Sequence, residues 1–361
     1  MRFPDFEGEW EKCKLGDVCN TSTGNKNTQD KIDDGIYPFY VRSQTVERVN
    51  SWTFDGEAIL TAGDGVGVGK VFHHTYGKIG VHQRVYILSN FKCDANYLFH
   101  FFSSKFYNRV KRMSAKNSVD SVRKEMITDM PLSLPCHKEQ VKIGRLLTLL
   151  DERIATQNKI IEDLKKLKSA IIEKLYKGIQ GTWYSYRQLF SIINERNKQL
   201  EYSNVLSASQ ERGMVSREDL NLDIHFERSN ISTYKIVKNG DYVIHLRSFQ
   251  GGFAFSEKTG ICSPAYTVLR PNNLLVYGYL SNYFTSRDFV KSLIIVTYGI
   301  RDGRSINVDE WLDMKVVIPS KEQQTHIVNV IESIENKIKN EETYSNCLLN
   351  QKQYLLRQMF I

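Results

Sequence analysis

Two stretches of the chain share one apolar spacing. In the first, Ile143, Leu147, Leu150, Ile154, Gln157, Ile161, Leu164, Lys168, Ile171 and Leu175 alternate steps of four and three, and eight of the ten are apolar. In the second, Ile327, Ile331, Ile334, Ile338, Glu341, Ser345, Leu348, Lys352, Leu355 and Met359 repeat the steps, with seven of ten apolar. Such steps keep one face of a helix apolar, and a seam held beyond three heptads predicts a coiled coil. A helix over 141–177 would have 37 residues and run about 55 Å. The polar breaks coincide: Gln157 matches Glu341, and Lys168 matches Lys352. Two helices with matching seams in one chain most simply pack antiparallel on each other. The competing reading packs each helix separately on its own globular part.

The match extends beyond the helices. Shifted by 184 positions, residues 118–176 lie on 302–360 without a gap. Pro135 meets Pro319, Asp129-Met130 meets Asp313-Met314, and Ser121 meets Ser305. Upstream, Tyr97-Leu98 matches Tyr279-Leu280 at a shift of 182, and Gly56-Glu57-Ala58-Ile59-Leu60 resembles Gly240-Asp241-Tyr242-Val243-Ile244 at 184. Trp10 and Trp183 open the two halves. The chain therefore reads as a duplication. Each copy begins with about 135 residues rich in short strand-type runs, such as 57–61, 84–88, 241–244 and 265–269, separated by Gly and Asn turns. A helical run over 96–111 interrupts the first. A short strand then closes on Pro135 or Pro319, and the long helix follows. The expected fold is α+β: two pseudo-symmetric β-rich globular domains, at 1–135 and 182–319, separated by two long antiparallel coiled-coil helices, at 136–181 and 320–361.

A length of 361 residues is enough for two cores that need neither metals nor disulfides. The six cysteines are scattered without a CxxC pair, no run of 18 apolar residues occurs, and the first residues lack the apolar stretch of a signal peptide. A cytoplasmic location with no membrane partner is the expectation. The net charge of +8 divides as +2, +4, +2 and 0 over the four segments above. That balance permits a nucleic-acid partner without demanding one.

Several motifs resemble catalytic ones and fail. In Gly63-Asp64-Gly65-Val66-Gly67-Val68-Gly69-Lys70, Asp64 stands where a phosphate loop needs its first Gly, and Val71 follows Lys70 where Ser or Thr is required. The run is expected to be a turn between two strands. Ser263-Pro264-Ala265-Tyr266 departs from the amino-methyltransferase tetrapeptide at Ala265. Asp163-Leu164-Lys165 lies on the coiled coil, Pro4-Asp5 has no Glu-x-Lys on a following strand, and His73-His74 lacks metal-ligand spacing. The chain reads as a binder, not an enzyme, with no catalytic residue and no metal site.

The two junctions, Pro135-Cys136-His137-Lys138-Glu139-Gln140 and Pro319-Ser320-Lys321-Glu322-Gln323, each place Glu-Gln between a Pro and an Ile-rich heptad. With one residue more in the first spacing, they resemble the specificity subunit of type I restriction–modification systems. The opening Trp10-Glu11-Lys12-Cys13-Lys14-Leu15-Gly16-Asp17-Val18 also resembles the start of that family's target recognition domain, while Arg187-Gln188-Leu189-Phe190 is a weaker version. The resemblance implies that each globular part is a target recognition domain reading one half of a split, asymmetric site in double-stranded DNA. It implies that the helix pair sets the gap and docks two methyltransferase (modification) subunits. A restriction/translocase subunit would join them. S-adenosylmethionine, ATP and Mg would belong to those partners, with no cofactor in this chain.

Base edges are commonly read by Arg on guanine and by Asn or Gln on adenine, while Lys positions phosphates. In the first head the candidates are Arg42, Ser43 and Gln44 after a strand; Lys70, His73 and His74 beyond the glycine turn; and Lys116, Asn117, Arg123 and Lys124 in a polar loop. In the second they are Arg247, Ser248 and Gln250, then Arg301, Arg304 and Asn307. The competing class is a coiled-coil interaction scaffold with two β-rich heads and no DNA. Non-identical heads on a symmetric stalk favour the reader, because an asymmetric target needs different readers.

Overall fold

The computed structural model describes residues 2–113, 121–209, 212–220, 228–245, 252–298 and 305–360. The chain divides into two compact units, Met1–Lys159 with Thr343–Ile361, and Ile160–Glu342.

The first unit opens with β1 (Glu11–Lys14), α1 (Leu15–Val18), β2 (Asn20–Thr23), β3 (Tyr37–Tyr40), β4 (Val46–Val49), β5 (Phe54–Ala62), β6 (Phe72–Val81) and β7 (Val85–Ser89). α2 (Ala95–Met113), α3 (Lys124–Thr128), β8 (Pro131–Leu134) and the first part of α4 (His137–Tyr176) follow. Six strands form one sheet in the order β2-β7-β5-β6-β3-β4, and β1 pairs with β8. Only β3 and β6 run parallel within that sheet. Alternate residues of a strand face opposite sides. Accordingly Ile59 and Leu88 enter a core with Phe102 and Phe106 of α2 and Met126 and Ile127 of α3. Their neighbours Ala58, Leu60 and Ile87 enter a second core with Tyr40, Ile79 and Val81. One sheet is thus buried on both faces, which explains runs too uniformly apolar to show alternation.

The second unit repeats this plan with shorter strands. β9 (Thr182–Ser185), α5 (Tyr186–Leu189), β10 (Phe190–Ile193), β11 (Leu206–Ser209), β12 (Gly213–Ser216), β13 (Lys235–Val237), β14 (Tyr242–Ile244), β15 (Phe253–Phe255), β16 (Gly260–Cys262) and β17 (Thr267–Pro271) come first. α6 (Tyr279–Tyr283), α7 (Arg287–Ser292), β18 (Thr297–Tyr298), β19 (Ser305–Ile306), α8 (Val308–Asp313), β20 (Lys315–Ile318) and α9 (Lys321–Met359) complete it. The four-stranded sheet β10-β17-β14-β15 is its centre, and β20 pairs with β9 as β8 pairs with β1. Its core is aromatic: Trp311 stacks on Tyr186 at 4.3 Å, and Phe190, Phe253 and Phe284 surround them. The registers β8–β1 and β20–β9 make Lys12, not Trp10, the counterpart of Trp183.

The helices begin earlier than the seam alone indicates. α4 starts at His137, and the Glu139 and Gln140 amides already donate to the Cys136 carbonyl. Gln140 is buried: its Nε2 donates to the Pro135 carbonyl at 2.8 Å and its Oε1 accepts from the Asp94 amide at 3.0 Å. Gln324 does the same in the second unit. Its Nε2 donates to the carbonyls of Pro319 and Leu274, both at 3.0 Å, and its Oε1 accepts from the Val276 amide at 2.8 Å. The junction is therefore a Pro followed five residues later by a buried Gln, in unbroken 184-residue register. Glu139 then corresponds to Gln323, not to Glu322. Glu139 is fully buried against the Arg2 guanidinium at 2.8 Å, whereas Gln323 is exposed.

The seam residues divide between two tasks. Ile143, Leu147 and Met359 belong to the core of the first unit, and Ile327 and Ile331 to that of the second. Between them, Leu150 and Ile154 pack on Leu348, with Leu355 beside them. Ile161, Leu164, Ile171, Leu175 and Ile334 are half-buried, and Ile338 is buried. The helix contacts are antiparallel in both units. In the first, Asp151 pairs with Lys352, and Ser345 Oγ donates to Asn158 Oδ1 at 3.0 Å. In the second, Lys165 meets Glu342 at 2.7 Å and Lys168 meets Glu335 at 2.6 Å. The two seam lysines thus make equivalent bonds, since Lys352 and Asp151 are related to Lys168 and Glu335 by the 184-residue shift. Both readings of the seam hold in part: its middle joins helix to helix, while Ile143, Leu147 and Met359 join the core of the first unit and Ile327, Ile331 and, at its edge, Leu175 that of the second.

Candidate nucleic-acid interface

Three turns of the first unit converge on Asp64. The β5–β6 turn runs through a single 3-10 turn at Gly65–Gly67, as a turn between two strands requires. Asp64 Oδ1 accepts from Arg42 Nη1 at 2.9 Å, and Arg42 sits on the β3–β4 turn. Asp64 Oδ2 lies 3.7 Å from Arg84 Nε on the β6–β7 turn. Two glycines permit this approach. A Cβ on Gly67 would stand 2.3 Å from the Arg42 carbonyl, and one on Gly63 2.9 Å from the Arg84 carbonyl. Gly63 N donates to that same Arg84 oxygen at 2.8 Å. Val66 projects from the tip, 96% exposed.

A fourth segment joins them. The Asp64 main chain bridges to Ser121, Val122 N donates to the Gly63 carbonyl at 2.7 Å, and Tyr86 Oη donates to the Val122 carbonyl at 3.0 Å. Arg123 and Lys124 follow, both exposed, as the N-cap and first residue of α3. On the other side, Lys70 Nζ stands 5.7 Å from the ring of Tyr107 on α2, whose last turn carries the exposed Lys111 and Arg112. The result is an exposed set of guanidinium and ammonium donors around one glycine turn. Such donors suit phosphate oxygens and the acceptor edges of bases.

The expected residues divide accordingly. Arg42, Ser43, Gln44, Lys70, Arg123 and Lys124 come together here. His73 supports the site from beneath: its Nε2 lies 3.2 Å from the Ser43 carbonyl, and its ring meets Tyr40 edge-on at 4.9 Å. Burial lowers its pKa, opposed by the bond to Ser43. The neutral ring donates to that carbonyl and ties the β3–β4 turn to β6. His74 faces the opposite side of β6, where it pairs with Glu57 at 3.0 Å and stacks on Phe99 of α2. Asn307 caps α8, its Oδ1 accepting from the amides of Asp309 and Glu310. Its 184-residue counterpart is Arg123, which holds the same N-cap position on α3. Lys116, Asn117, Arg247, Ser248, Gln250, Arg301 and Arg304 lie outside the described residues.

Sequence reasoning missed Asp64 and Arg84. Asp64 was legible only as the residue that spoils a phosphate loop, and Arg84 carries no motif. Among the described residues, no group of His, Cys, Asp and Glu is arranged to hold a metal, and no helix is long and apolar enough to cross a membrane. All six cysteines are free, and burial pushes the thiols of Cys19, Cys93 and Cys262 up to about 12.

Residues 7–166 match the family model described as the type I restriction modification DNA specificity domain. The type I restriction enzyme EcoDI specificity subunit of Escherichia coli is 27% identical over 174 residues, covering 47% of this chain and 38% of that protein. The type I restriction enzyme MjaVIII specificity subunit of Methanocaldococcus jannaschii is 29% identical over 194 residues, covering 50% of this chain and 44% of that protein. The matched region thus spans less than half the length of either curated relative. The solved type I restriction–modification S subunit from M. genitalium superposes with a TM-score of 0.63 at 14% identity, over 100% of this chain and 99% of that one. A chain from structural work on assembly and conformational transition of the type I R-M system gives 0.60 at 13% identity, over 98% and 97%. At these identities the two likenesses establish the α+β fold. The resemblance to type I specificity subunits is borne out.

Proposed function

We propose that the chain is the DNA-reading specificity subunit of a type I restriction–modification assembly, itself without catalytic groups. The segments 1–135 and 182–319 act as target recognition domains, each reading one half of a bipartite, asymmetric duplex site. The helices at 136–181 and 320–361 set the gap between the halves and dock two methyltransferase subunits. A restriction/translocase subunit completes the assembly in the cytoplasm. S-adenosylmethionine, ATP and Mg act in those partners.

One observation carries this reading: the helix pair is repeated faithfully while the heads are not. The seam lysines form equivalent pairs, Lys168 with Glu335 and Lys352 with Asp151. Yet where the first head places Arg123 the second places the capping Asn307, and where the first core has Leu15 and Ile127 the second stacks Tyr186 on Trp311. A symmetric stalk with unlike heads suits a symmetric pair of partners bound to an asymmetric sequence. The test is co-purification from cells that also express the modification subunit of the same system, followed by duplex binding at several salt concentrations. A stable complex whose affinity falls linearly with the logarithm of salt is expected. A chain that captures no methyltransferase and shows no salt-dependent duplex binding is a scaffold of another kind.

A further inference from the structure

We propose that Asp64 is a positioning residue for specificity, holding Arg42 and Arg84 as oriented readers of guanine in the half-site bound by the first unit. The inference rests on the DNA-reading function proposed above and adds to it a base and the residues that select it.

An arginine reads guanine by presenting two N–H groups in a fixed fork to O6 and N7. A free arginine on a turn loses side-chain freedom when it does so, and pre-ordering removes that cost. Arg42 and Arg84 are 45% and 65% exposed, while the carboxylate between them is 27% exposed. Asp64 binds Arg42 through Nη1 alone, at 2.9 Å. Among the described residues, the rest of that guanidinium makes no bond, and its exposure suits it to meet a ligand. The bases of both side chains are tied down as well. The Arg84 amide donates to Nδ1 of the buried His82 at 3.0 Å, and His82 Nε2 lies 3.3 Å from Thr28 Oγ1. The Arg42 turn is held by His73 through the Ser43 carbonyl. Asp64 is itself fixed through its main-chain bridge to Ser121. A carboxylate at the tip of a DNA-binding turn would ordinarily repel phosphate. Its placement between two arginines gives it a purpose there and leaves the trio with a net positive charge.

Binding sites are selected from a randomised duplex library by the full-length chain, co-expressed with the modification subunit of its own system. The wild-type motif is expected to contain one or two G·C pairs in one half-site. Asp64→Asn should make those positions degenerate, with discrimination falling roughly tenfold, while the other half-site and the salt slope stay as in wild type. Asp64→Glu should restore part of the preference. Arg42→Lys and Arg84→Lys, which keep the charge but lose the fork, should relax the same positions, and they decide the matter if Asp64→Asn fails to fold. A wild-type motif reproduced at every position by folded Asp64→Asn, or by both lysine variants, overturns the assignment and leaves DNA reading intact. Even weakening of both half-sites by Asp64→Asn also overturns it. If the wild-type complex enriches no sequence, DNA reading itself falls, and this assignment with it.

Discussion

Shortening both long helices together gives the sharpest test of the spacer. The antiparallel bonds Asp151–Lys352 and Asn158–Ser345 place 157–163 of α4 opposite about 340–346 of α9. Removing 157–163 together with 341–347 therefore takes one heptad from each helix at the same level. It deletes the polar seam positions Gln157, Glu341 and Ser345, with the Lys165–Glu342 pair and the Asn158–Ser345 bond, and keeps the two seam-lysine pairs, Lys168–Glu335 and Lys352–Asp151. Each helix shortens by about 10 Å at 1.5 Å per residue. At 3.4 Å per base pair that is about three base pairs, so the gap in the recognised site should contract by about three while both half-sites keep their sequences. A heptad changes helix phase by only about 20°. Three base pairs turn the duplex by about 100°, given about 10.5 per turn. The contracted site should accordingly bind more weakly than the parent binds its own. Mapping methylated adenines in cells that carry the variant with its modification subunit reads gap and half-sites at once. An unchanged gap, or altered half-sites, refutes the spacer.

Other expectations are more local. Gln324→Leu strands the Val276 amide and the Pro319 carbonyl inside the second unit. It should cost about 2–4 kcal/mol in urea unfolding, and a loss below about 0.5 kcal/mol would mean that the junction glutamine is not structural. Asn307→Ala removes the α8 cap and should cost about 1 kcal/mol with the selected motif unchanged; the reverse result would make Asn307 a base reader. His100, buried on α2, has its pKa lowered chiefly by burial, with Asp151 opposing and Lys352 and His74 assisting. The folded state thus disfavours the protonated ring, so the unfolded chain binds more protons below the ordinary value of about 6.5. Stability should be greatest above that pH and fall on acidification towards the lowered folded value. His100→Asn should flatten the fall, as read from urea midpoints at pH 7.5 and 5; an equally steep loss in the variant would place the proton elsewhere.

The helices were legible because their constraint is periodic. Ile143 and Leu147 obey the seam even though they finish in a head core, since a helix face is set by spacing whatever covers it. For the same reason the sequence could not say where seam gives way to core. The junction was read one residue out of register: Glu-Gln is visible twice, but only burial shows that Gln140 and Gln324 are the equivalent pair and that Glu139 answers Arg2 instead. The strands were legible in part. β5 and β7 appeared as apolar runs, while β11 and β12 passed unnoticed because Leu206–Ser209 and Gly213–Ser216 are short and half polar.

The interface was hardest to read for a physical reason that also explains its construction. Arg42, Asp64 and Arg84 belong to three different turns, and no periodicity links turns. What brings them together is the pairing of β5 with both β6 and β7, and of β6 with β3, which delivers successive turns to one place. Gly63 and Gly67 then remove the side chains that would hold those turns apart. The acid that defeats a phosphate-loop reading is the residue around which the turn assembles. The acid finds two arginines, and Lys70 turns towards Tyr107. Under the proposed DNA-reading function, such a surface would change its bases through turn residues while the sheet, the helices and the buried glutamines stay fixed. On that reading the heads are free to diverge around a register that holds over 118–176 and 302–360, which takes in the end of each head and its long helix.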